Sequence, residues 1–397
     1  MKRVCFVTST RADWGLLKPL ATMVRDCGEV ELQIIATNMH LLKDFGYTLE
    51  EISRDGFNVD VQVPMDVDGD SEYSRAKSMA RCADGMADAF ELLKPDLVVL
   101  LGDRYEMLSV ASIAAVMLIP IVHIAGGEIS EGAVDDSFRH AITKLSTLHL
   151  TATEPYRQRV IQMGEDPRRV INTGAIGAWN ARNVEVIPLQ ELEQFLNIRL
   201  DGKVAVVTYH PATLDHRPVA DLTRQFLDAL AQHPDLTYII TYPNNDAHGA
   251  EIIPLLKDFA QKHPANVRVV SSLGMKRYQN LLRYACMAIG NSSSGIVEVP
   301  SWGIPTVDVG VRQRGRLAAD SVIHCGTSTA EISEAIALAL KIPHTEGDSN
   351  PYYKPDTPVI MFDALMDFVH SLPVAPKTFH DIIGNHSASP EEQFNWK

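Results

Sequence analysis

Short apolar runs rich in β-branched residues recur along the chain, and the stretches between them carry apolar positions at helical spacing. The first series is VCFVT (4–8), LQIIAT (32–37), DLVVLLG (96–102), IPIVHI (119–124) and LHLTAT (148–153). Runs that are apolar at nearly every position, rather than at every second one, fit strands buried on both faces of a parallel sheet. The same grammar restarts with VAVVTY (204–209), TYIITY (237–242), VRVVSS (267–272), MAIG (287–290), PTVDVG (305–310) and SVIHC (321–325). This predicts an α/β protein of two doubly wound domains. The stretch 181–203 between the two series has no strong strand signal and contains Pro188 and Gly202, which places the boundary near residue 180. The expected domains are therefore 1–180 and 181–358. Residues 359–372 read as a helix, expected to leave the second domain and pack back on the first. The tail 373–397 mixes Pro, Gly, Ser and charge and is expected to be irregular, with Phe394 and Trp396 as a candidate partner contact.

A chain of 397 residues has room for two cores. Its 46% hydrophobic and 22% charged residues are an ordinary globular composition, which excludes a wholly disordered chain. The 50 Asp+Glu against 36 Lys+Arg give a formal net charge of −14. No general attraction to nucleic acid or to an anionic membrane is expected, so an anionic ligand must be held by a local pocket. The five cysteines form no CxxC pair, and Cys5, Cys286 and Cys325 sit in or beside apolar runs, as reduced core thiols do. The apolar stretch behind the basic start is too short for a signal peptide, and the longest apolar segment, near 111–124, falls short of the ~20 residues a membrane span needs. A cytoplasmic protein is expected.

In open parallel sheets ligands bind beyond the carboxyl ends of the strands, so the polar residues after each run carry the candidate chemistry. After the first run, TSTRADWG (8–15) lacks a GxGxxG fingerprint and offers Arg11 to a phosphate or carboxylate; it reads equally as a capped helix start with a solvated Arg. After the third, Asp103 and Arg104 stand where a strand stops and a helix begins, and Asp103 either caps that helix or works in catalysis. After the fourth, HIAGGE (123–128) leaves Glu128 at the mouth, with two glycines permitting close backbone approach to a ligand, while His123 reads as a structural residue. The segment 131–146 reads as a helix burying Val134, Phe138, Ala141 and Leu145 and collecting Asp135, Asp136, Arg139, His140 and Lys144 on its other face. The i,i+4 pairs Asp135/Arg139 and Asp136/His140 are either surface ion pairs or part of a group of carboxylates converging near Asp103. Carboxylates brought together raise one another's pKa, which suits acid/base work near neutral pH.

The second series supplies His210 in YHPAT (209–213), Asn244 in PNND (243–246), and Ser292 and Ser293 in GNSSSG (290–295). A Gly/Ser turn between strand and helix presents N–H groups and hydroxyls to an anion, here without the GK[ST] of a P-loop. Glu298, one turn into that helix, can accept hydrogen bonds from sugar hydroxyls. Arg312 lies in GVRQRGR (310–316), which either offers guanidiniums to a diphosphate or is a solvated loop. No HExxH, CxxC or strand-end DxD requires a metal. Acids on one wall of an interdomain cleft and a phosphate cradle on the other suggest a nucleotide-sugar enzyme.

From about residue 1 to 370 the chain resembles the hydrolysing UDP-N-acetylglucosamine 2-epimerases of sialic-acid and related nonulosonic-acid biosynthesis. The resemblance rests on TRADWGLLKPL (10–20), NMHLLKDFGYT (38–48), LKPDLVVLLGDRYE (93–106), HIAGGE (123–128), DDSFRHAITKLSTLHL (135–150), HPAT (210–213), YPNND (242–246) and GNSSSGIVEVPSWGIPTVDVGVRQRGR (290–316). It implies a GT-B-like fold of two Rossmann-type domains around a deep cleft, with the last helix crossing back. It also implies a UDP-sugar substrate, elimination of UDP to a 2-acetamidoglucal, and hydration to N-acetylmannosamine, with no nicotinamide or obligatory metal and commonly a dimer or tetramer. Carried over residue by residue, Asp103, Asp135 and Asp136 match acid/base positions, His210 and Arg139 active-site polar groups, and Arg11, Arg104, Asn244, Ser292, Ser293, Glu298 and Arg312 the UDP-binding motifs. His40, inside the second quoted motif, joins the expected substrate contacts.

One departure bears on substrate. Many members have a glutamate where this chain has Ala125, so either Glu128 or an aspartate takes that proton, or the substrate differs. The alternatives are the same chemistry on UDP-2,4-diacetamido-2,4,6-trideoxyglucose, a non-hydrolysing epimerase, a GT-B glycosyltransferase, or a nucleotide-sugar sensor.

Overall fold

The structure, a computed structural model, describes residues 1–42, 47–65, 69, 71–244, 246–347, 349–374 and 376–382. Two parallel sheets organise it. The first contains β1 (Lys2–Thr8), β2 (Val30–Thr37), β3 (Val61–Val63), β4 (Leu97–Leu101), β5 (Ile121–Ile124), β6 (Leu148–Thr151) and β7 (Val170–Asn172) in the order β3-β2-β1-β4-β5-β6-β7. The second contains β8 (Lys203–Thr208), β9 (Leu236–Thr241), β10 (Val267–Val270), β11 (Ala285–Gly290), β12 (Thr306–Val309) and β13 (Val322–Cys325) in the order β10-β9-β8-β11-β12-β13. Each apolar run in the sequence became a strand. The central ones are buried almost throughout, as in Val4 to Thr8 and Val204 to Val207, because helices cover both faces. The two strands without a sequence signal, β3 and β7, are three-residue edges with half-exposed positions, too short to show a run.

Each sheet has a hydrophobic cluster on either face. In the first domain one gathers Phe6, Trp14, Leu17 and Ile34, and the other Cys5, Met86, Val98 and Val110. The second domain repeats this with Phe226, Tyr238 and Ile289 on one side and Leu192, Leu196, Leu281 and Leu282 on the other. The helix Thr357–His370 follows the second domain yet buries Met361, Leu365, Phe368 and Val369 against Trp14, Leu17 and Leu20, so it crosses back as expected. Beyond it, Lys377 Nζ lies 2.7 Å from the Glu165 carboxylate and His380 N donates to the Gly164 carbonyl, tying the chain to the first domain without regular structure. Phe394 and Trp396 lie outside the described residues. All five cysteines are free thiols. No helix among the described residues is long and apolar enough to cross a membrane.

Gly290 closes β11 beside Thr208 at the end of β8, with φ +137. A Cβ there would run into the Thr208 carbonyl in a backbone conformation that only glycine adopts readily. Gly290→Ala is expected to cost about 2–4 kcal/mol, read as a fall in the thermal unfolding midpoint. A loss below about 1 kcal/mol would show that β11 can draw away from β8.

Candidate active site

Strand order reverses between β1 and β4 in one sheet and between β8 and β11 in the other, and each reversal opens a crevice where the two following loops diverge. The two crevices face one another across a cavity of about 450 Å³. Arg11, Asp103, Arg104, Glu128, Asp135 and Arg139 line it from the first domain, and His210, Asn244, Ser292, Ser293, Glu298 and Arg312 from the second.

The loop after β1 serves both roles that its sequence allowed. Thr10 Oγ1 accepts from Asp13 N at 3.1 Å while the Asp13 carboxylate accepts from Thr10 N at 3.0 Å, a capping box that starts the helix Arg11–Asp26. The cap aims Arg11 into the cleft rather than at solvent, where its guanidinium meets Glu51 at 2.6 Å. Asp103 does not cap the helix Tyr105–Val116, whose N-cap is Arg104 with no side-chain cap bond. It is held by Arg139. That guanidinium, 1% exposed, donates to the Asp103 carboxylate, to the Glu128 carbonyl at 2.9 Å and to Ser130 Oγ at 2.9 Å.

The helix Asp135–Leu145 corrects the reading of its faces. Asp135 and Arg139 are buried toward the cleft, Ile142 is buried in the first domain's core with Phe138 and Leu145 partly covered against it, and Val134 is exposed. A charged stripe faces inward here because neighbouring loops of the first domain supply the partners of Arg139, and Arg104 and Arg312 act on Asp135 from the two walls. Arg139 pairs with Asp103, not with Asp135 four residues back. Asp136 accepts from Ser130 N at 2.6 Å, lies 3.4 Å from Arg139 and 3.5 Å from His140, and does not line the cavity. It supports the turn rather than the cleft.

His40 is likewise displaced from its expected place. The 3-10 turn Asn38–Leu41 sends it inward between Thr8 Oγ1 (3.0 Å) and Thr48 Oγ1 (2.8 Å), leaving Met39 on the cavity wall. His123 is structural, bridging the Gly102 carbonyl and Thr143 Oγ1. The glycines after it make room for protein rather than ligand. A Cβ on Gly126 would meet His123 and Thr143, one on Gly127 would meet the Tyr156 carbonyl, and neither glycine lines the cavity.

On the second wall, Asn244 N donates to His210 Nδ1 at 3.1 Å, which leaves the proton of a neutral imidazole on Nε2. Burial, then Arg312, pushes His210 down to about 3, so it is neutral in ordinary buffers. The Gly/Ser turn leads into a helix of one turn, Ser294–Val297, and Glu298 is its C-cap rather than a residue on its exposed face. Burial pushes Glu298 up to about 6, and Gln279 donates to it. The arginine loop is divided. Arg312 donates to the Asn291 carbonyl at 3.1 Å and Arg316 meets Glu128 at 2.6 Å, both almost dry, whereas Arg314 is 70% exposed beside Glu131.

Burial, then Asp246, pushes Asp135 up to about 6. Burial raises Glu128 as well, with Arg316 opposing. The raised carboxyl groups therefore owe more to dryness than to crowding by other carboxylates. Arg316 was expected only as one guanidinium of the arginine loop, and Gln279 was not expected at the site. The four-residue spacing of Arg312 and Arg316 was the available signal; Gln279 had none.

The family model described as UDP-N-acetylglucosamine 2-epimerase matches residues 23–366. The chain is 39% identical over 322 residues to a Campylobacter jejuni protein described as a GDP/UDP-N,N'-diacetylbacillosamine 2-epimerase (hydrolyzing), covering 81% of this chain and 84% of that one. It is 36% identical over 386 residues to Escherichia coli polysialic acid biosynthesis protein P7, covering 96% and 98%. A Legionella pneumophila UDP-N,N'-diacetylbacillosamine 2-epimerase (hydrolyzing) is 34% identical over 345 residues, covering 86% and 90%. The fold is shared with the Neisseria meningitidis UDP-GlcNAc 2-epimerase solved with UDP-GlcNAc, at TM-score 0.75 and 18% identity over 92% of this chain and 100% of that one. The fold is thus GT-B-like. Since the match runs through both domains and takes in the loops of both walls, the chain belongs to the UDP-N-acetylglucosamine 2-epimerase family.

Proposed function

We propose that this protein is a hydrolysing UDP-N-acetylglucosamine 2-epimerase, which converts UDP-GlcNAc and water to N-acetylmannosamine and UDP. The observation that carries this reading is the shared cavity: proton-handling carboxyl groups on one wall, and dry guanidiniums with a Gly/Ser turn on the other. Both hydrolysing relatives named above support release of the nucleotide by hydrolysis.

UDP leaves C1 as a proton leaves C2, giving a 2-acetamidoglucal; water adds at C1 and a proton returns to C2 on the other face. Charge developing on the departing diphosphate is met by Arg312, Arg104, the Ser292–Ser293 turn and the Nε2–H of neutral His210. Asp135, at about 6, is largely ionised at neutral pH and still basic enough to take the C2 proton. Asp103, ion-paired with Arg139, holds the water that adds at C1. Glu128, raised by burial, returns the proton. Glu298 receives hydroxyls of the nucleoside half.

A second reading keeps this chemistry on UDP-2,4-diacetamido-2,4,6-trideoxyglucose. The Campylobacter and Legionella relatives favour it by name, and an apolar lining from Leu16, Ala125, Leu150 and Met361 suits a deoxy sugar. Proton NMR in D₂O with each UDP-sugar separates the two. Free N-acetylmannosamine deuterated at C2, with UDP released, supports the first; turnover of the diacetamido sugar alone moves the assignment to the second. A retained nucleotide on the epimerised sugar overturns hydrolysis, and no turnover of either favours a transferase or a sensor.

Asp103→Asn is expected to lower kcat by about 10³-fold while UDP affinity, measured by calorimetry, changes less than about threefold. Asp136→Asn, altering a residue outside the cavity, should lower kcat by less than about tenfold; equal losses would place Asp136 in the chemistry. The pH profile is a further check. Because Asp135 must be ionised to accept a proton and its pKa is raised, kcat/KM should climb as pH rises through about 6 and level off above. An acid limb centred near the ordinary carboxylate value would remove Asp135 from that role.

A further inference from the structure

One buried carboxylate has no part in the reaction described above. Asp246 lies between β9 and the helix Gly249–Lys262, 6% exposed, and does not line the cavity. Its loop is already held by the backbone, Gly249 N donating to the Asp246 carbonyl at 2.9 Å. The side chain reaches elsewhere. Its oxygens stand 3.6 Å from Arg104 Nη1 of the first domain and 3.8 Å from Arg312 Nη2 of the second, and accept from Asn244 Nδ2 at 2.7 Å. Two guanidiniums from opposite walls, which would repel one another, are thus held by one carboxylate.

The same two guanidiniums line one cavity with Asp135, and they and Asp246 act on Asp135 through their charges. The other charged or titratable groups around Asp135 are turned away or neutral: Arg139 binds Asp103, Asp136 accepts from Ser130 N, and His210 carries no charge. Arg104 also meets the buried Glu106 carboxylate at 2.7 Å, but Glu106 pairs with that one guanidinium, whereas Asp246 reaches both, and Asp246 and Asp135 feel the two guanidiniums unequally. Burial alone would raise Asp246, but Arg104 and Arg312 outweigh it and hold Asp246 below the usual range, whereas Asp135 is raised. Like charges at one site separate in this way, one group staying ionised to low pH while the other takes up its proton at a higher pH.

We propose that Asp246 is a positioning residue which, by bridging Arg104 and Arg312 across the cleft, sets the charge environment in which Asp135 exchanges its proton. This rests on the role given to Asp135 above. Asp246 itself touches no substrate; it acts through the two arginines and through its own charge.

The test is Asp246→Asn, which keeps shape and removes charge. The acid limb of kcat/KM should move about one pH unit lower with a reduced plateau, so that at pH 5 the variant keeps about fivefold more of its own plateau rate than the parent does. Asp246→Glu, which restores the charge, should return the limb to its place. A lowered plateau with an unmoved limb would overturn the proposal, since loss of packing alone does that. Carbon-13 NMR titration of the Asp135 carboxyl, assigned with Asp135→Asn, reads the same coupling without turnover. If the parent turns over neither sugar, the reaction fails, and the carboxyl titration alone judges Asp246. If the parent is active and the Asp135 titration is identical in Asp246→Asn, only the role of Asp246 fails. Should Asp246→Asn not fold, Asp246→Ser takes its place in both measurements.

Discussion

Arg139 is almost wholly dry, and a guanidinium keeps its proton in any protein, so the groups packed around it must meet its charge. They are the Asp103 carboxylate, the Glu128 carbonyl, Ser130 Oγ and Asp136, drawn from separate stretches of the first domain. Much of the acidic wall follows from that requirement. Asp103 is drawn away from capping its helix, the 128–134 turn is pulled over the guanidinium, and Asp135 is left facing the cleft. Breaking a buried pair of this kind typically costs about 3–5 kcal/mol, which is what keeps carboxyl groups in place for proton transfer.

The opposite wall obeys the same electrostatics with the signs exchanged. A chain of net charge −14 places Arg11, Arg104, Arg312 and Arg316 on a single cavity, where dryness strengthens each interaction with an anion. These arginines are matched by acids, several of them from the other domain. Arg316 meets Glu128, Arg314 meets Glu131 and Arg104 meets Asp246, each pair crossing the cleft. Bringing the domains together and neutralising the arginine loop are therefore one event. Backbone bonds add to it, with Glu131 N donating to the Arg314 carbonyl and Leu214 N to the Gly132 carbonyl.

Strand periodicity and burial explain how far local pattern reaches. An interior strand of a parallel sheet is apolar on both faces, so β1, β4 and β8 announce themselves, as do the loops at their carboxyl ends that hold Arg11, Asp103 and His210. The helix Asp135–Leu145 misleads for a related reason. Periodicity assigns apolar residues to the inside, but this helix borders a charged cleft, and Arg139 is nearly as buried as Ile142. The rule that apolar side chains face inward presumes an apolar neighbour, and only the folded surroundings decide whether there is one.

The sequence by itself determined the strands of the two parallel sheets, the last helix and the loops at the strands' carboxyl ends, because each depends on residues close together in the chain; the helix's return to Trp14 and Leu17 and the meeting of the loops are long-range contacts. It also carried the family resemblance, which rests on motifs rather than on contacts. Tertiary structure alone decided which members of those motifs face the cavity. Asp135 does and Asp136 does not; Met39 does and His40 does not; Arg312 and Arg316 turn inward while Arg314 stays in water. Neighbours in sequence differ in direction by a fraction of a helical turn, and their surroundings come from loops far away in the chain. Proton affinity is likewise a property of surroundings, since Asp135 owes its raised pKa to burial and to Asp246, 111 positions further along and in the other domain.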